Sequence, residues 1–190
     1  MTKIFVETSG RHVHLSQKHL EQLFGPGYQL SKLRDLSQPA EFAAKEQLII
    51  KTDQNIFNNV RIVGPVRGQT QVEISKTDAN FLGLRPPIRR SGDLAGSADC
   101  ILIGPRGQVV LKEGVIIARR HIHLNLQSLS NFGLVAGQTV SVKINHPERG
   151  LVFNNVDLRI DEDSAPAMHI DTDEANAAGI DGTVEGEVIV

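Results

Sequence analysis

Two short stretches of this chain each carry a pair of histidines two residues apart. His12 and His14 lie in Arg-His-Val-His-Leu-Ser, and His121 and His123 in Arg-His-Ile-His-Leu-Asn. In a β-strand, residues i and i+2 share a face and lie roughly 6.5–7 Å apart along the chain. Each pair can therefore grip one metal ion, while Val13 and Ile122 turn toward a core. A catalytic zinc ion usually takes three protein ligands and keeps a fourth position for water or substrate, so each pair requires a third ligand. A single His-x-His is more often an ordinary strand feature with satisfied hydrogen bonds. The recurrence of the block carries the metal reading.

The recurrence is part of a degenerate internal repeat. Phe57-Asn58-Asn59-Val60 returns as Phe153-Asn154-Asn155-Val156, an offset of 96, and the segment 71–80 aligns with 167–176 at that same offset without a gap. Glu73 then falls opposite His169, and both are nominated as third ligands. The sets are His12/His14/Glu73 and His121/His123/His169. Spacing leaves open whether each set holds its own ion or the repeats share ligands. The His-x-His blocks are offset by 109, so the first half carries 13 extra residues within the region 25–46. His19 and His146 have no repeat equivalent and read as surface residues.

Six arginines lie in polar, turn-like sequence near these blocks: Arg11, Arg67, Arg89, Arg90, Arg119 and Arg120. The guanidinium fork suits bidentate contact with phosphate. Arg67 is the best single candidate, because it stands six residues before Glu73 on a turn flanked by Gly64 and Gly68. The loop from Ser91 to Gly96 is glycine-rich enough to admit a ligand backbone or to be simply a turn. Cys100 opens the apolar run Cys-Ile-Leu-Ile and reads as a buried, inert thiol. No Gly-x-Ser-x-Gly elbow is present, so serine acyl-enzyme chemistry has no support.

The elements that position these groups read as mainly β. Short apolar runs at 47–51, 60–63, 100–103, 109–111, 139–144 and 187–190 alternate with Gly, Asn and Pro at the intervals of barrels or sandwiches, mostly antiparallel. Short helices are expected from Ser16 to Phe24, from Asn125 to Phe132, from Lys76 to Leu82 and from Thr172 to Ala178, each with a capping residue before it or a glycine after it. The chain of 190 residues is 40% hydrophobic and 22% charged, an ordinary globular composition. A net charge of −2, seven Phe, one Tyr and no Trp leave no basic or stacking surface for nucleic acid. One cysteine excludes an intrachain disulfide framework, and no run approaches the roughly 20 apolar residues of a membrane helix. A cytoplasmic protein is expected, and composition leaves a homodimer open.

Longer motifs carry a resemblance. RHVHLS, DLSQPAEFAAKE, GPVRGQTQVEISKTDA, SGDLAGS, LKEGVIIARRHIHL and MHIDTDEANAA, spread from about residue 4 to 179, together resemble the phosphate propanoyltransferase (phosphotransacylase) family. The resemblance implies reversible transfer of a short acyl group, acetyl or propanoyl, from coenzyme A to inorganic phosphate. It implies two zinc ions per chain, one on His12, His14 and Glu73 and one on His121, His123 and His169, with Arg67 on phosphate. It also implies two β-barrels capped by short α-helices, with residues 1–45 plus 118–190 forming one and 46–117 the other. Both His-x-His strands would then serve one active site, where phosphate, held by Arg67 and one zinc, attacks a thioester polarised at the other. Some members carry an N-terminal extension that sends them into bacterial microcompartments. With the first ligand already at His12, such an extension has no room, and a free cytoplasmic enzyme is the expectation.

Two rival readings start from the same residues. A zinc hydrolase would use the open positions for water, which phosphate dependence of turnover distinguishes. A closed structural zinc module would call for four ligands and more cysteine than this chain has.

Overall fold

The computed structural model describes residues 2–190. It consists of two closed six-stranded β-barrels and four short helices, so the mainly β, two-barrel architecture expected from the sequence is the one found. The first compact unit comprises the chain up to Ser9, residues 37–39 and Arg119–Val190; the second comprises Gly10–Leu36 and Ala40–Ala118. This differs from the expected boundary at 45/46. Residues 10–36 belong with the central segment, because the first His-x-His strand is hydrogen-bonded into the barrel built from it.

The first unit closes through β1 (Thr2–Thr8), β13 (Ala167–Ile170), β10 (His121–Leu124), β12 (Leu151–Ile160), β11 (Thr139–Ile144) and β14 (Val184–Ile189), in that order around the ring. The second closes through β9 (Gln108–Ala118), β6 (Gln71–Glu73), β2 (His12–His14), β5 (Ile56–Gly64), β4 (Phe42–Lys51) and β8 (Ala98–Ile103), with β3 (Lys32–Asp35) and β7 (Ile88–Arg89) attached outside the ring. The pairings correspond one to one. In both rings the His-x-His strand runs parallel to one neighbour and antiparallel to the strand bearing the third candidate ligand, and that strand runs parallel to the next. The remaining three pairings in each ring are antiparallel, in line with the mostly antiparallel expectation.

The correspondence exposes an exchange. The repeat pairs β1 with β9, since each precedes a His-x-His strand, yet β1 sits in the ring of β10 to β14 and β9 in the ring of β2 to β8. Each half of the sequence thus donates its opening strand to the other half's barrel.

Alternation explains why these strands form. Val13 and Ile122, between the paired histidines, are fully buried, as are Val72 and Met168 opposite them. Apolar residues facing inward fill one core per barrel: Leu15, Leu48, Ile62 and Leu102 in one, Val6, Leu124, Val142 and Val156 in the other. The helices α1 (Gln17–Phe24), α2 (Lys76–Leu82), α3 (Leu126–Asn131) and α4 (Thr172–Ala178) lie where the caps predicted them. Ser75 with Asp78, and Asp171 with Glu174, form reciprocal capping boxes, and Gly83 and Gly179 end α2 and α4 in the left-handed conformation.

The recurrent Phe-Asn-Asn-Val block has a structural cause. In β5, Leu48 pairs with Val60 and Ile50 with Phe57, so two asparagines stand against one residue of β4; β12 repeats this between Val140–Val156 and Val142–Phe153. The block is a β-bulge, with Asn59 at φ 57° and Asn155 at φ 55°. Asparagine tolerates that left-handed backbone, whereas β-branched side chains do not. Asn155→Gly should leave the urea denaturation midpoint close to wild type, whereas Asn155→Val should lower stability by about 1–2 kcal/mol; equal midpoints for the two variants would contradict the bulge argument.

Candidate metal centres

Strand pairing delivers the third ligand. His12 lies directly across from Glu73 on the antiparallel β2–β6 pair, and His121 directly across from His169 on β10–β13. Because i and i+2 share a face, His14 and His123 join their respective sets. The sets His12/His14/Glu73 and His121/His123/His169 each bring three ligand atoms within 4.8 Å of one another, so the candidate ligands nominated from the repeat are gathered as two separate trios.

In the first trio, the Nδ1–H of His12 donates to the Gly10 carbonyl at 2.9 Å and that of His14 to the Val63 carbonyl at 3.1 Å. Carbonyls only accept, so in the neutral rings both Nε2 atoms carry lone pairs. These face each other at 3.1 Å, with the Glu73 oxygens 3.7 Å from His12 and 3.8 Å from His14. Two lone pairs at that separation repel unless a cation lies between them. Tetrahedral zinc, with bonds of about 2.0–2.1 Å to nitrogen, needs ligand atoms about 3.3 Å apart, so the residues fit that ion. Burial, then the charges of His12 and Arg67, push the pKa of His14 down to about 2. The ring is therefore kept as the neutral base a metal requires.

The second trio repeats the plan. The Nδ1–H of His121 donates to the Arg119 carbonyl at 2.8 Å, and the Nε2 atoms of His121 and His123 approach to 3.0 Å. The His169 ring stands 5.6 Å and 4.7 Å from the other two, centre to centre. Its Nε2 lies 3.4 Å from Glu7 of β1.

Arg67 belongs to the first trio's surroundings. Its backbone N–H bonds the Leu15 carbonyl, which places the side chain beside the strand end that carries His14. The guanidinium donates to Glu41 at 2.8 Å and to the Ser91 hydroxyl at 3.1 Å. Ser91 in turn donates to Glu73 at 3.2 Å, and Gln71 donates to Glu73 and Ser91 while accepting from the Gly92 N–H. The Ser91–Gly92 turn thus ties Arg67 to the Glu73 carboxylate. Glu41, Gln71 and Ser91 were not among the residues nominated from sequence. Glu41 lies in DLSQPAEFAAKE with nothing local to mark its role, whereas Gln71 could have been read as the i−2 neighbour of Glu73 on one strand face.

Other candidates have structural employment. Arg11 clamps Asp78 at 2.6 Å across the Phe57 ring, and Arg120 clamps Glu174 at 2.7 Å near Phe153. Each clamp joins the residue before a His-x-His to the capping box that follows the third ligand. Arg119 faces buried Asp157 at 3.7 Å, and Arg89 pairs with Asp93 at 3.7 Å. Cys100 is buried, and burial pushes its thiol up to about 12, which leaves it inert as expected. His19 is less of a surface residue than expected: it is half-buried against the Thr70 hydroxyl at 2.8 Å. His146 holds a turn by accepting the N–H groups of Glu148 and Arg149.

These residues lie in a stretch of sequence that matches a known family. A model of the phosphate propanoyltransferases matches residues 5–181. The chain belongs to the phosphate propanoyltransferase family. It is 52% identical over 174 residues to a phosphate propanoyltransferase of Shewanella putrefaciens, covering 92% of this chain and 82% of the relative. It is 49% identical to one of Thermotoga maritima, over 92% of this chain and 83% of the relative, and 45% identical to one of Listeria monocytogenes, over 99% and 88%. Both trios and Arg67 lie inside the matched segment.

The depressed His14 pKa sets a pH dependence. A solvated histidine titrates near 6.5, so below that pH the unfolded chain takes up a proton at His14 that the folded chain refuses. Stability from this group is complete above about 6.5 and is lost as pH falls toward 2. In metal-stripped protein, resistance to urea should fall between pH 7 and pH 5, and less steeply in His14→Gln; parallel curves would refute the burial argument.

Proposed function

We propose that this chain is a zinc-dependent phosphate acyltransferase of the cytoplasm, moving an acetyl or propanoyl group reversibly between coenzyme A and inorganic phosphate. The observation that carries the reading is the first trio itself. Two imidazoles and a carboxylate converge on one point, and Arg67 is hydrogen-bonded through Ser91 to that carboxylate. Family membership supports the same chemistry.

An ion bound by three ligands would supply Lewis acidity for the thioester carbonyl and the departing thiolate. His12, His14 and Glu73 hold that ion, the two backbone carbonyls fix the rings, and Gln71 with Ser91 fixes the carboxylate. Arg67 binds phosphate. Its fork already accepts an anion in the form of Glu41, whose carboxylate oxygen marks where a phosphate oxygen would sit. A phosphate oxygen forms the bond to the carbonyl carbon, the carbon–sulfur bond breaks, and the electron pair leaves on the coenzyme A sulfur. No covalent acyl-enzyme is needed, consistent with an inert Cys100. Holding both reactants in line is worth on the order of 7–11 kcal/mol of barrier, so positioning by Arg67 ranks beside the Lewis acid. The three-histidine trio serves as a second zinc site of the same open kind.

The test is thiol release from acetyl-CoA and propanoyl-CoA with and without phosphate, with acyl phosphate trapped by hydroxylamine. Release should require phosphate and match acyl phosphate formed; equal release without phosphate and no acyl phosphate would make the chain a hydrolase instead. Chelator treatment should abolish turnover before it unfolds the protein. His12→Ala and Glu73→Ala should each lose bound metal. Arg67→Ala should keep it and raise the phosphate KM roughly 10- to 100-fold, the range of a lost charged hydrogen-bonding partner.

A further inference from the structure

The two trios differ in charge, and the difference has a specific location. Two histidines and Glu73 give the first trio one negative charge, whereas three histidines give the second none. At the offset of 109 that relates the His-x-His blocks, the residue equivalent to Glu7 of β1 is Ile116 of β9. The registers agree: Glu7 stands beside His169 on the parallel β1–β13 pair, as Ile116 stands beside Glu73 on β6–β9. The first barrel thus places a carboxylate on the third-ligand strand and an aliphatic residue on the next. The other barrel places histidine on the third-ligand strand and the carboxylate on the next.

Glu7 faces the right way. Val6 and Met168 are its own and its partner's inward neighbours, both fully buried, so Glu7 and His169 share the outer face that carries His121 and His123. Its Oε2 lies 3.4 Å from His169 Nε2 and accepts a hydrogen bond from the Ser37 hydroxyl at 2.5 Å. Ser37 is held in turn by its neighbour Gln38, which is buried and donates to the Ala165 carbonyl at 3.0 Å. Both residues come from the stretch that contains the first half's 13 extra residues. Residues 37–39 leave the unit of their flanking sequence and join the unit of Glu7.

We propose that Glu7, oriented by Ser37, is the acidic member of the three-histidine centre, supplying to its divalent ion the negative charge that Glu73 supplies in the first. This rests on the reading of the trios as metal centres. A carboxylate 3.4 Å from an imidazole nitrogen of the trio stands close enough to a bound ion to offset its charge. The insertion around Ser37 then has a function, which is to fix the one carboxylate that the repeat moved from one strand to the next.

The test is the affinity of the second centre for zinc, measured by competition with a chromophoric chelator in full-length protein carrying His12→Ala, so that only that centre loads. Glu7→Gln in this background should weaken zinc binding roughly 10- to 100-fold and alter the d–d spectrum of the cobalt-loaded form. Ser37→Ala, which keeps the carboxylate but removes its donor, should weaken binding by a smaller factor and carries the test if Glu7→Gln does not fold. Unchanged zinc affinity and cobalt spectrum in a folded Glu7→Gln protein, or in Ser37→Ala where only that variant folds, overturns the role of Glu7 alone. Wild-type protein that binds fewer than two ions overturns the two-centre reading and this inference with it.

Discussion

The antiparallel pairing of each His-x-His strand with the strand beside it is the constraint on which the rest depends. It sets His12 against Glu73 and His121 against His169 with no loop in between. A ladder fixes the separation of opposite residues far more tightly than a loop can, because the backbone hydrogen bonds that hold it are the same ones that hold the barrel. The backbone carbonyls of Gly10, Val63 and Arg119 then do the finer work of choosing which ring nitrogen faces inward. The geometry of each trio is a by-product of barrel geometry. A disturbance of the fully buried Val13–Val72 or Ile122–Met168 contacts on the opposite face therefore reaches the centre through the strand itself.

Around that constraint the two barrels have diverged in parts that the ladder leaves free. Both keep the bulge on the strand beside the His-x-His strand, and both keep the capping box and the arginine clamp at the helix after the third-ligand strand. The clamp joins the residue before the histidines to an acid five residues past the third candidate ligand. The polar surroundings differ more. Arg67, Gln71 and Ser91 form one hydrogen-bonded path around Glu73, whereas His169 meets Glu7. Duplication preserved the ligand-holding frame and left the adjoining positions open to specialisation.

Much of this was legible in the sequence, for identifiable reasons. Histidines at i and i+2 announce a shared strand face, and a repeat carries information between its halves, so the placement of Glu73 and His169 beside the two pairs could be anticipated without coordinates. Helices with a capping residue and a closing glycine, such as Lys76–Leu82, were placed to the residue because local chemistry decides them. What escaped was non-local. The strand exchange puts residues 2–8 among partners more than 160 positions away, and no periodicity in β1 reveals which ring it will complete. The boundary expected near residue 46 fell in the middle of β4, because pairing between β2, β5 and β6 decides membership of a barrel. Glu7 and Glu41 received no role, and Ser91 only that of a loop residue, because each acts through a partner distant in sequence.

The reciprocal exchange of opening strands also shapes how the chain can be assembled during synthesis. The barrel holding β2 to β8 lacks a stave until Gln108–Ala118 has left the ribosome, and Thr2–Thr8, made first, has no ring to enter until Val184–Ile189 is complete. The earliest strand therefore waits longest with unsatisfied edges, which is the situation in which strands find wrong partners. On its outward face Lys3 and Glu7 flank the exposed Phe5, so charge stands on both sides of the one large apolar group that this waiting segment shows to water.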